Sequence, residues 1–470
     1  MNMIKREETK RPVKVLQFGE GNFLRAFADW MIDIANSKGV TDMGVAVVTP
    51  RFCENAMVAT LTAQDSLYHV VLEGLVDGKP QRSIRLVTCL DSVFSPLAKP
   101  QQYEEVVCAP SLRFVVSNTT EAGICYAPDD VLSDTPATFP GKITALLYKR
   151  YIYFGGDPAK GLIFLPCELI ENNGTLLRRY VLRHAAEAAL PQAFISWVEE
   201  ACIFCDTLVD RIVSGFPKDN IDAIQAEIGC DDNAVVVGEP YSLWVIGGKD
   251  SEKVKAELPL HLAGLNVKFV PDVAPYRTAK VRILNGSHTA MVPLGLMLGH
   301  ETVGEAMADP RIAGFLSAMV EGEVMPTIDM EAAHLAAYAA EVSERFRNPY
   351  IKHRLASIAL NSLSKWETRI YPTLADSYRL TGKVAPHLAF SFAALLALYA
   401  PGSGFTPEDN PQHVAAIAEA WGAADAEATV SAVLSAGIFS HDIEAEVPGF
   451  TKLVAEYVSK IRTNGLAACL

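Results

Sequence analysis

Basic charge is in short supply: 41 Lys and Arg face 55 Asp and Glu, a net charge of −14. A general nucleic-acid binder carries a basic excess, so that class is set aside. Long apolar runs are missing too. The longest, 388–400, is broken by Ser391 and falls short of the ~20 residues that cross a bilayer. It reads as a buried helix, and no membrane role is expected. The opening residues, MNMIKREETKRP, hold no apolar stretch, so no signal peptide is expected. Cysteine gives no framework: the nine, at 53, 89, 108, 125, 167, 202, 205, 230 and 469, are scattered and odd in number. Reduced thiols in a cytoplasm fit that pattern better than disulfides. Cys202 and Cys205 make a C-x-x-C without further ligands at zinc spacing. Two thiols on a helix are expected there, and no metal.

What is present is globular in character. Half of the 470 residues are hydrophobic and a fifth are charged, enough chain for two cores. Val13-Lys14-Val15-Leu16-Gln17-Phe18 is a short β-rich run ending in glycine. The next stretch, 22–35, has Phe23, Phe27, Trp30, Met31 and Ile34 at helical spacing, and Val45-Ala46-Val47-Val48 is a second apolar run. Strand, glycine turn, helix, strand is a βαβ unit, which builds parallel sheets. Further strands are expected at 114–117, 162–165 and 234–237, with helices at 143–151 and 176–189 between them. From about residue 279 the texture changes to long Ala/Leu/Met/Glu stretches, among them 287–299, 301–321, 330–346, 350–367 and 385–400. The expected fold class is α/β. A doubly wound, Rossmann-like parallel-sheet domain (1–270) is followed by a mostly α-helical domain (271–470), divided near the proline-bearing segment 270–275.

Gly19-Glu20-Gly21 lies where the first strand meets the first helix. Glycines there let the backbone turn tightly and approach a pyrophosphate, and the helix N-terminus offers free N–H groups. The turn departs from G-x-G-x-x-G, since Leu24 takes the third position. Phe18, Gly19, Gly21, Asn22, Phe23 and Arg25 are the candidate cofactor residues at this turn, Arg25 as a phosphate partner. Ser117, Asn118, Thr120 and Glu121 follow another strand and suit the nicotinamide and ribose edge of the same cleft; a capped helix start is the plainer alternative. The second strand ends Thr49-Pro50-Arg51, with no acid for a ribose hydroxyl, which by itself leans toward NADP.

The most informative stretch is Lys280-Val281-Arg282-Ile283-Leu284-Asn285-Gly286-Ser287-His288. Moving a hydride between alcohol and ketone needs a group that exchanges a proton with the oxygen, and donors that stabilise its transient negative charge. Lys280 is the candidate general acid/base, with Arg277 and Arg282 close enough in sequence to lower its proton affinity. Asn285 is the candidate oxyanion donor, and His288 binds a second hydroxyl or orients the lysine. For the substrate, Arg345, Lys352 and His353 form a cationic cluster around Asn348-Pro349 fit to hold a carboxylate. Asn173, in Cys167-Glu168-Leu169-Ile170-Glu171-Asn172-Asn173-Gly174, and Asp210, in Thr207-Leu208-Val209-Asp210-Arg211, are further cleft candidates. Asp210-Arg211 reads equally well as an internal ion pair. A catalytically silent nucleotide-binding sensor is a rival of another class, but a sensor needs no proton donor.

The block from Gln17 to Phe27 resembles the opening G-x-G-x-F-x-R-A of the mannitol dehydrogenase family of long-chain polyol dehydrogenases. Leu208-Val209-Asp210-Arg211-Ile212 and Lys280-x4-Asn285-x2-His288 are similar to that family's later blocks, in the same order along nearly the whole chain. The resemblance implies a metal-independent oxidoreductase using NADH, against the lean from Arg51. Within the family it points to members that reduce a keto-hexuronate to an aldonate in galacturonate breakdown. It assigns Lys280 as acid/base, with Asn285 and His288 in the oxyanion and hydroxyl-binding site. Polyol members have Cys-Asp-Asn where this chain has Cys167-Glu168-Leu169, which argues against a neutral polyol as substrate. An epimeric keto-hexuronate or a neutral ketose stays open, and the oligomeric state is not legible.

Overall fold

A computed structural model describes residues 4–7, 9–120, 122–128, 130 and 135–470. Thirteen strands run in chain order: β1 Val13–Phe18, β2 Gly44–Val48, β3 Tyr68–Val76, β4 Lys79–Val87, β5 Leu90–Phe94, β6 Phe114–Ser117, β7 Ile163–Pro166, β8 Ile203–Phe204, β9 Asp206–Asp210, β10 Val213–Gly215, β11 Val236–Gly238, β12 Leu243–Gly247 and β13 Val267–Val270. Six of them form one sheet in the order β5-β2-β1-β6-β7-β8, and its pairings are parallel. Alternation along its strands divides two cores. Val15, Val45, Val47, Phe114, Val116, Ile163 and Leu165 face one. Leu16, Phe18, Ala46, Val48, Val115 and Phe164 face the other. A period of two with both faces apolar is what a doubly wound sheet requires.

The rest of the first half is less regular than simple βα alternation. β3 and β4 are neighbours in a second sheet, β10-β11-β3-β4, and β9, β12 and β13 form a third. The expected 234–237 strand is β11, which pairs with β3 and lies outside the six-stranded sheet. Asp77-Gly78 turns β3 into β4 with positive φ at both residues, 52° and 71°. That two-residue turn matches the twist of a hairpin. Cys202 and Cys205 flank β8 and do not share a helix; all nine cysteines are free.

By contact the chain divides into two compact units. One holds 1–73 and 80–273; the other holds 74–79 and 274–470. The expected boundary was 270, with no return of the hairpin tip to the second unit. The second unit is helical. Its core centres on the helix Pro386–Leu398, buried from Leu388 to Leu398, with Phe392 4.4 Å from the ring of Trp366. The expected helix at 350–367 is broken: 350–354 has no helical turn, and helices run Leu355–Ala359 and Ser362–Arg369. No helix among the described residues is long and apolar enough to cross a membrane.

Three helices among the described residues carry π turns; one, at Val320–Val324, lies on no motif singled out in the sequence, and the other two do. The helix after β1 has one at Arg25–Asp29, and the helix starting at Ala274 has one at Lys280–Asn285. Such turns are rare, use i→i+5 hydrogen bonds and concentrate at functional sites.

Candidate active site

In the six-stranded sheet, chain order reverses between β1 and β6, because β2 and β5 lie to one side of β1 and β6, β7 and β8 to the other. A crevice opens outside the carboxyl ends of strands at such a switch point. Gly19 and Asn118 leave β1 and β6 there. The Gly19 N–H donates to the Val48 carbonyl at 3.0 Å, and the Asn118 N–H to the Phe18 carbonyl at 3.1 Å. Gly19 has φ +125°, and a Cβ would sit 3.2 Å from the Asn118 carbonyl oxygen. Only glycine fits that turn. Gly21 is different: its φ is −67° and a Cβ would touch nothing within 4 Å. The fold does not need glycine at 21, but an approaching ligand would. No side chain caps the helix that starts at Asn22, so its first N–H groups are not taken by a cap. These residues fit a dinucleotide pyrophosphate.

On the β6 side, Thr120 has φ +89°, a strained conformation for a β-branched residue. Ser117 Oγ donates to Glu168 Oε2 at 3.0 Å, and Thr119 donates to Glu168 Oε1 through its N–H and its hydroxyl, each at 2.9 Å. Burial raises the Glu168 carboxyl above its ordinary value. Glu168 thus pins the 117–119 segment, a role the sequence alone did not assign. Glu121 lies outside the described residues.

Three expected ligand residues are occupied inside the protein. Arg25 is 1 % exposed. Its guanidinium donates to the carbonyls of Glu20 and Ala234 and to Asn22 Oδ1, over the Tyr68 ring. It staples the turn from within and is not free for a phosphate. Asn22, itself exposed, accepts the last of those bonds through its Oδ1. Asn173 is fully buried. Its amide donates to the carbonyls of Pro166, Glu168 and Thr207 at 3.0–3.2 Å, and its Oδ1 accepts from Thr207 N at 2.9 Å. It ties the end of β7 to β9 and leaves nothing for a substrate. Phe18 likewise spends its ring in the core, beside Phe52 and Phe139. Phe23, half-buried, stacks on Phe27. Asp210 is buried at the end of β9. The Arg211 guanidinium bonds the carbonyls of Ala26, Pro240 and Tyr241.

The second unit gathers most of the other candidates. In an α-helix, residues five apart are about 140° out of phase; a π turn stacks them. The π turn at 280–285 therefore brings Lys280 and Asn285 toward one face, and the α turn that follows brings His288 round to it. Lys280 and Asn285 are half-buried and His288 is 7 % exposed. The π turn packs against the helices Ala332–Phe346 and Ser362–Arg369. Arg345 is buried near the end of the first of these. The His288 ring lies 4.2 Å from Phe346 and 5.0 Å from His353. Burial, reinforced by His353, Arg345 and Arg369 nearby, holds the His288 imidazole far below its ordinary pKa. It is neutral, and its buried Nε2 has no hydrogen-bond partner. Burial also lowers His353.

Two expectations change in this unit. Lys352 is exposed, one residue from His353 but outside the enclosed cluster. Arg282 does not act on Lys280 as a free cation: its guanidinium is 2.5 Å from Asp376 Oδ2 and bonds Thr327. Arg369, which the sequence reading passed over, is part of the cluster; only a basic residue at a helix end marked it. No group of three or more His, Cys, Asp and Glu side chains that could hold a metal occurs among the described residues.

Residues 13–260 match the model of the mannitol dehydrogenase Rossmann domain, and 272–462 that of the mannitol dehydrogenase C-terminal domain. The chain belongs to the mannitol dehydrogenase family. Family membership makes it an oxidoreductase. Among its relatives, an altronate oxidoreductase of Bacillus subtilis (strain 168) is 44% identical over 466 residues, covering 98% of this chain and 95% of that one. An altronate oxidoreductase of Klebsiella pneumoniae (strain 342) is 40% identical over 465 residues, covering 97% and 95%. A solved D-sorbitol dehydrogenase in substrate-free form superposes with a TM-score of 0.82 at 22% identity, covering 99% of both chains. A Pseudomonas fluorescens mannitol 2-dehydrogenase, in ternary complex with NAD and D-mannitol, superposes at 0.69 and 23%, covering 100% of this chain and 98% of that one. Both share the fold.

Proposed function

We propose that the protein is an NAD-dependent altronate oxidoreductase, reducing D-tagaturonate to D-altronate and running in reverse when altronate is in excess. The relatives at 40–44% identity over nearly the full chain carry that name. The structural observation that carries the reading is the π turn at Lys280–Asn285, since i→i+5 geometry followed by an α turn supports a shared face for Lys280, Asn285 and His288. We assign the cofactor to the first unit and the sugar acid to the second. Gly19, Gly21 and the open helix start at Asn22 hold the pyrophosphate, and Ser117, Asn118 and Thr120 form the nicotinamide side. When bound, reduced nicotinamide supplies the hydride. Lys280, as ammonium, gives its proton to the ketone oxygen as the carbon becomes an alcohol. The Asn285 amide donates to that oxygen while it carries negative charge. The neutral His288 uses Nε2 to bind a neighbouring hydroxyl. No step needs a metal, because Lys280 is the proton source. Nine free thiols suit a reducing compartment, the cytoplasm.

The test is NADH oxidation with tagaturonate, fructuronate and fructose, repeated with NADPH. Tagaturonate with NADH should give the highest kcat/KM, by roughly 100-fold over fructose, which lacks the carboxylate. A preference for fructuronate would move the assignment to the epimeric acid. Tight NADH binding without turnover of any of the three would favour a sensor.

A further inference from the structure

The chain treats its buried guanidiniums in a consistent way. Arg25, Arg150 and Arg211 are each enclosed, and each is satisfied mainly by backbone carbonyls: Arg150 bonds those of Val107, Ala109, Leu112 and Lys160, and Arg211 those of Ala26, Pro240 and Tyr241. Arg282 has Asp376 and Thr327. Arg369 breaks the rule. It is half-buried at the end of the helix Ser362–Arg369, yet among the described residues its guanidinium makes no hydrogen bond and no ion pair. Its backbone carbonyl lies 3.6 Å from where a Cβ on Gly286 would stand. The helix end is thus packed against the helix carrying Asn285 and His288. Leaving a guanidinium partly desolvated and unpaired is costly unless something else pairs with it.

We propose that Arg369 is the specificity-determining residue of the site: its planar fork takes the carboxylate of the sugar acid, beside the buried, unpartnered Nε2 of His288. The charges around it agree. The groups that act on His288 are His353, Arg345 and Arg369, and no acid is among them. Burial depresses the Arg369 guanidinium, and no carboxylate offsets the effect. Lys365, a turn away on the same helix, is depressed by burial and by Arg369, and its Nζ is held by the Ile358 carbonyl at 2.8 Å. A partly enclosed guanidinium on which no carboxylate acts, the Asp409 carboxylate acting on Lys365 instead, fits an anionic substrate. A guanidinium matches a carboxylate with two parallel bonds. Lys352, the exposed cation of the original cluster, is not needed.

The inference rests on a hexuronate being the substrate, and the test separates the two claims. Arg369→Gln should raise KM for tagaturonate by roughly 100-fold, with kcat within a factor of about five and NADH affinity unchanged. Inhibition by altronate should weaken in step. Inhibition by altritol, the neutral counterpart with the same hydroxyls, should stay as it is, a contrast that general damage to the fold would not produce. Added guanidinium chloride at low concentration should restore part of the lost kcat/KM. Arg369→Lys keeps the charge without the fork and should fall between, which also guards against a folding failure of the glutamine variant. If the native protein turns over hexuronates and both variants keep its KM, the inference is overturned while the functional reading stands. If the native protein turns over no hexuronate, both fall together.

Discussion

Tyr68 has one hydroxyl hydrogen and two oxygens in reach: the Arg25 carbonyl at 2.9 Å and Asp29 Oδ2 at 3.1 Å. One proton cannot serve both, so Asp29 is best satisfied when it carries a proton and donates to Tyr68. Burial agrees, pushing the Asp29 carboxyl up to about 7. A carboxyl raised in the fold holds its proton more tightly there than in the unfolded chain. The stability from this group is complete below its ordinary value of 3.8 and is lost as pH rises through about 7. Asp29→Asn should flatten the fall in stability between about pH 4 and 7, by an amount of order 2–4 kcal/mol. Thermal unfolding across that range checks it, and an unchanged slope would remove Asp29 from the account. Residues like this one were the hardest to read in the sequence. Arg25 and Asn173 have the polarity of ligands. Nothing in a string of letters shows that the first turns inward to the Ala234 carbonyl, or that the second joins β7 to β9.

At the scale of elements, the Gly19 turn ties the cofactor crevice to the sheet. Gly19→Ala places a methyl 3.2 Å from the Asn118 carbonyl at φ +125°. We expect a stability loss of roughly 1–3 kcal/mol and NADH binding weakened by at least about tenfold. Fluorescence titration and a melting curve report the two separately; unchanged NADH affinity would show that the crevice lies elsewhere. β1, β2, β6 and β7 were legible because each is a short apolar run bounded by glycine, proline or a polar residue, buried on both faces. The β3–β4 hairpin was not, although Asp77-Gly78 announced it. β4, KPQRSIRLV, is mostly exposed and lacks the apolar run sought in a parallel strand. The π turns were also hidden. Lys280 and Asn285 are five apart, a spacing with no meaning on an α-helix. Only the wider turn makes them neighbours.

The whole molecule is two compact units, and the acid/base role proposed for Lys280 makes turnover depend on pH. Reduction uses Lys280 as ammonium and oxidation uses it as amine. Raising pH should therefore speed altronate oxidation and slow tagaturonate reduction, with opposite limbs of one titration in the two rate profiles. Profiles that rise together would place the proton on another group. The division into a sheet-bearing half and a helical half was legible from the change of texture near residue 279, because βα alternation and long amphipathic helices leave different periods in the sequence. The most direct measurement is the turnover of Lys280→Ala with tagaturonate and NADH, with NADH binding followed in parallel. The account predicts a fall in kcat of roughly 100- to 10,000-fold with NADH still bound as tightly as by the native protein. Turnover close to that of the native protein would contradict it.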